Sequence, residues 1–63
     1  MELTDGQLLI IASIIKYNLG DAYYLYGSSY CYKFEREVMT CMKSGMEFTG
    51  ACKDVCRRSG LKW

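Results

Sequence analysis

Histidine and proline are both absent from this 63-residue chain, and each absence closes a class of explanation. Without histidine the common acid–base and nucleophile–base pairs of catalysis are missing, and so are mixed cysteine–histidine metal sites. Without proline, and with six glycines that stand singly, no stretch reads as a linker or a low-complexity segment. A single domain spanning residues 1–63 is the expectation. Charge is also scarce: eight basic residues against seven acidic ones leave a net charge of +1, too little to hold nucleic acid or an anionic membrane by an overall field. The main apolar stretch, Leu8 to Ile15, stops at Lys16, far short of the roughly 20 residues that cross a bilayer. Glu2 and Asp5 stand where a secretory signal would be basic. A soluble, cytoplasmic protein without a membrane partner is expected.

What is present is apolar surface, at 51% hydrophobic residues including six tyrosines, which excludes a disordered chain. A domain this small buries only about 60% of the surface its unfolded chain exposes, so its stability is marginal. Its organising element is the stretch from Asp21 to Gly45. At about 100° per residue, Tyr23, Gly27, Tyr30, Cys31, Phe34, Val38, Cys41 and Met42 gather within an arc of roughly 120°, opposite Ser29, Lys33, Arg36, Thr40 and Lys43. That pattern predicts a helix over residues 21–44 capped by Asp21. A competing reading pairs 22–26 with 30–34 as a β-hairpin closed by Gly27-Ser28-Ser29, since tyrosines favour strands. The helix is preferred because one apolar arc keeps its phase through Gly27, whereas the strand reading lacks alternation. Gly27 then marks a close approach of the first helix, or a kink.

Ahead of it, Thr4 and Gln7 have the spacing of a capping box, with Leu3 and Leu8 placed as a hydrophobic staple. A first helix over 5–18 follows, ended by Gly20 in a left-handed conformation. Leu8, Ile11, Ala12, Ile15 and Leu19 form one apolar face of this helix, and Ile10, Ile14 and Tyr17 form a second. The short turn to the second helix makes the pair antiparallel. Gly45 ends the second helix, and a third is expected over 49–59 with Thr49 as N-cap, Gly60 as C-terminal cap and an Asp54–Arg58 pair one turn apart. The fold class is therefore all-α: a small three-helix domain built on an antiparallel helical hairpin with a short C-terminal helix. Leu61 and Trp63 are placed to fold back over the bundle.

Four cysteines invite a disulfide or zinc reading. Cys31 and Cys41 stand about 15 Å apart along one helix and cannot bond to each other. Cys41 and Cys52 flank the turn and could pair. A second, nested bridge fails, because Cys31 lies about 21 Å from that turn and Cys56 only about 10 Å. Structural zinc sites present their ligands as close pairs, and only Cys52 and Cys56 form one. Reduced, buried cysteines acting as small apolar residues are expected, with no metal and no cofactor.

No catalytic residues are assigned. Glu35 and Glu37 leave their helix in different directions, no glycine-rich phosphate loop follows a strand, and only Cys52, in the first turn of its helix, has a local reason for a lowered pKa. The chain is expected not to be an enzyme. Instead, Leu25, Tyr32, Met39 and Met46 recur every seven residues beside the main stripe, bordered by Glu35 and Lys43. Tyrosine and methionine suit interfaces, so this seam predicts a small regulator or inhibitor that acts by protein–protein interaction. The plain alternative is that the third helix or Trp63 covers it. The second face of the first helix, Ile10, Ile14 and Tyr17, predicts self-association as a homodimer, the seam offering a matching surface. A nucleic-acid-binding helix-turn-helix, reading through Lys53, Arg57, Arg58 and Lys62, is the alternative function. Asp54 falls at a position where that motif wants an apolar side chain, and Gly50 weakens the start of its recognition helix.

Overall fold

The computed structural model describes residues 2–63 and is all-α. Helix α1 runs Asp5–Leu19, a 3-10 turn spans Gly20–Ala22, α2 runs Tyr23–Lys43 and α3 runs Phe48–Ser59. The strand alternative is excluded, because residues 23–34 lie inside α2 and no strand occurs among the described residues. α1 packs along α2 as a hairpin, and α3 folds back chiefly onto α2.

Local chemistry sets the ends. At α1 the capping box forms in full: the Gln7 N–H donates to Thr4 Oγ1 at 3.1 Å, and the Thr4 N–H donates to Gln7 Oε1 at 2.9 Å. Gly20 ends α1 at φ 58°, ψ −130°, a positive-φ conformation that is not the expected left-handed helical one. Asp21 makes no side-chain cap, because it sits within the 3-10 turn that runs directly into α2. Both later helices end in Schellman motifs. The Met46 N–H donates to the Cys41 carbonyl with Gly45 at φ 107°, and the Leu61 N–H donates to the Cys56 carbonyl with Gly60 left-handed at φ 73°. Met46 and Leu61, next to these glycines, pack against the core. α3 begins two residues earlier than Thr49 as N-cap would allow: Glu47 is the N-cap, in an extended conformation without a side-chain bond, and its carbonyl accepts the Ala51 N–H at 2.8 Å.

The core draws on all three helices: Ile11 and Ile15 from α1, Phe34, Val38 and Cys41 from α2, and Ala51, Cys52, Val55 and Cys56 from α3. Gly27 is buried, and the nearest side chain to it is that of Tyr23. A Cβ there would stand 2.7 Å from Cδ1 of Tyr23, so the glycine makes room for an aromatic ring one turn back in the same helix. Leu61 packs onto the core as expected, whereas Trp63 remains more than half exposed beneath the Lys53 ammonium. Among the described residues, no helix is long and apolar enough to cross a membrane.

Candidate interaction surface

α2 must serve two neighbours with one side and face water with the other, which decides where its apolar residues end up. Among the described residues nine large apolar side chains stay exposed, and eight of them belong to the α1–α2 hairpin: Leu9, Ile10, Tyr17, Tyr24, Leu25, Tyr26, Tyr30 and Tyr32. The seven-residue seam divides along its length. Leu25 is 77% exposed and Tyr32 63%, so neither α3 nor Trp63 covers them. Met39 is half-buried in a shallow depression beside Leu3, Leu8 and Glu35, toward α1. Met46 lies beyond the helix, half-buried against the core, and leaves the seam.

Around Tyr32 the seam acquires a cationic border. The Arg36 guanidinium stands 5.7 Å from the centre of the Tyr32 ring, within reach of the ring's negative face. A depression of about 450 Å³ opens beside it toward α3, lined by Tyr32, Lys33, Arg36, Glu37, Thr40 and Arg58. Glu35 and Glu37 accordingly face opposite sides of α2, as their spacing implies. On α1, Ile10 and Tyr17 are exposed, while Ile14 is half-buried and packs against the core. The second face of α1 is thus open at two of its three positions.

The basic residues of the C-terminal segment do not form one strip. Arg58 turns toward α2, where its Nε holds Asp54 at 3.0 Å and its Nη2 donates to the Sγ of Cys41 at 3.2 Å. Lys53 lies over the Trp63 ring at 5.8 Å. Arg57 is exposed, and Lys62 has its backbone bound to Asn18.

All four cysteines are unbonded thiols. Burial and the neighbouring Cys56 push the Cys52 thiol up to about 11, the reverse of the lowering its place in the helix suggested. Starting α3 at Phe48 moves Cys52 beyond the first turn and into the fully buried core, where desolvation of a thiolate outweighs the helix dipole. Burial also raises Cys56, and burial together with the Glu35 carboxylate raises Cys31. No group of three cysteine or acidic side chains converges among the described residues in a way that could hold a metal ion. Compared with known protein families, curated proteins and solved structures, the chain matches none.

Proposed function

We propose that this chain is a small, non-enzymatic, cytoplasmic regulatory or inhibitory protein that works by protein–protein interaction through the exposed face of α2, with Leu25 and Tyr32 at its centre. One observation carries the reading: the hairpin keeps eight large apolar side chains in water although its core is small. Each such side chain gains roughly 1.5–3 kcal/mol when fully buried, so a partner that covers several of them is stabilised substantially. Tyrosines add contact area at low cost in side-chain entropy, and Arg36 beside Tyr32 adds a residue type that interfaces favour. The nucleic-acid reading has less support, because Arg58 is already engaged by Asp54 and Cys41 and is turned away from the side where Lys53 meets Trp63.

The experiment is site-specific photo-crosslinking in the native host, with the probe at Leu25 or Tyr32 and a control probe at the exposed Thr49 on α3. The expected result is a discrete protein adduct from the seam positions, absent at Thr49 and lost when Arg36→Glu is introduced. Adducts to nucleic acid, or seam adducts no different from the control, would overturn the reading.

A further inference from the structure

The seam has an internal symmetry that its exposure alone does not explain. Tyr32 sits near its middle, with Leu25 seven residues before and Met39 seven after. At 100° per residue these three fall within an arc of roughly 40°. Asp21 lies eleven residues before Tyr32 and Lys43 eleven after, about 16 Å away along the axis in each direction. Lys43 shares the phase of Leu25, and the 3-10 turn that carries Asp21 leads into α2 without interruption. Asp21 and Lys43 are both exposed, and neither is in the Arg58–Asp54 ion pair, the sole such pair among the described residues.

We infer that the seam's partner is a second copy of the same chain, packed with its α2 antiparallel about a twofold axis through Tyr32. This rests on reading the α2 face as an interaction surface and names its occupant. About such an axis every residue meets the one equally far on the other side of Tyr32. Leu25 of one copy meets Met39 of the other, and the two Tyr32 rings meet each other. Asp21 meets Lys43, twice by symmetry, so both ends of the seam close with opposite charges. Ser28 and Ser29, small and exposed, fall opposite the longer Arg36 and Glu35. A parallel arrangement would instead set Asp21 against Asp21 and Lys43 against Lys43, which repel. A seam on one helix is at the small end of specific interfaces, below about 1,200 Å² in total, so the dimer is weak and reversible. The docking of Ile14 onto its own core also favours α2, rather than the second face of α1, as the centre of the contact.

The test is sedimentation equilibrium of the full chain, reduced, across the micromolar range, with Asp21→Lys, Lys43→Asp and the double variant. The expected result is a concentration-dependent dimer that each single charge reversal weakens about tenfold and that the double reversal restores, with helicity unchanged by circular dichroism. Restoration in the double variant cannot come from damage to the fold. A concentration-independent monomer overturns the inference, and so does a dimer indifferent to the reversals. If the monomer still forms the seam adduct with another protein in cells, only the self-pairing fails. If the seam forms no adduct of either kind, the interaction reading fails with it.

Discussion

Asn18 and Lys62, 44 residues apart, exchange two hydrogen bonds: the Lys62 N–H donates to Asn18 Oδ1 at 2.7 Å, and Asn18 Nδ2 donates to the Lys62 carbonyl at 3.0 Å. The same Nδ2 also reaches the Ile14 carbonyl at 2.9 Å, so a single amide ties the C-terminal tail to the last turns of α1. The clamp anchors the tail next to Leu61, which packs against the core. Asn18→Ala is expected to cost about 0.5–1.5 kcal/mol in chemical denaturation, because the two bonds to Lys62 are exposed to water and only the one to Ile14 is part-buried. Amide exchange at Lys62 should accelerate with it while the centre of α2 is unaffected.

The two Schellman glycines predict a graded result. Gly60 is left-handed at φ 73°, where an L-residue costs about 1–2 kcal/mol, whereas Gly45 at φ 107° lies outside the region such residues tolerate. Gly45→Ala should therefore lower the melting temperature more than Gly60→Ala, since neither site is crowded and only backbone strain separates them. Equal losses at the two sites would mean that the α2–α3 turn relaxes.

Cys52 makes stability depend on alkaline pH. Its thiol titrates near 11 in the folded chain, against an ordinary value near 9.0. A group whose folded pKa is raised contributes its stability below the unfolded pKa and loses it as pH rises through the folded one. Stability should fall between pH 9 and pH 11, by up to about 2–3 kcal/mol from this thiol. Tyrosines and lysines titrate in the same window, so the measurement is the difference between the wild-type chain and Cys52→Ala, whose pH profile should be flatter.

Core and seam should separate cleanly under substitution. Phe34 is 3% exposed, and Phe34→Ala is expected to cost about 3–5 kcal/mol, enough to unfold so small a domain. Leu25→Ser and Tyr32→Ser should each change the stability of the dilute monomer by less than about 0.5 kcal/mol. Losses comparable to that of Phe34→Ala would show that the seam belongs to the core.

Periodicity and capping chemistry are local, and they were legible. Thr4 and Gln7 mark the start of α1 because a capping box needs only two residues three apart, and the arc from Tyr23 to Met42 identifies α2 because phase survives a single glycine. Gly45 and Gly60 announce the helix ends for the same reason: a left-handed or wider positive φ is open to glycine almost alone. Thr49 misled because an N-cap side chain is a preference, and the run beginning at Phe48 reached the core with Glu47 in the cap position. Asp21 misled because the turn took a 3-10 form that a residue-by-residue reading does not distinguish from the first turn of a helix.

Residue spacing alone is enough to establish that the chain is helical, where its helices turn, and that it carries more apolar surface than three short helices need. Those are properties of spacing along one strand of chain. Which apolar residues meet water was decided only by tertiary structure, because burial depends on the neighbour's position and not on the residue's own phase. Ile14 is on the core side and Tyr17 is not, although both belong to the same stripe. Met46 is drawn into the core while Leu25, three heptads earlier, stays open. Cys52 changes from a residue with a reason to ionise into one held neutral, because long-range packing of α3 on α2 removes it from water, and desolvation of a thiolate outweighs any local dipole.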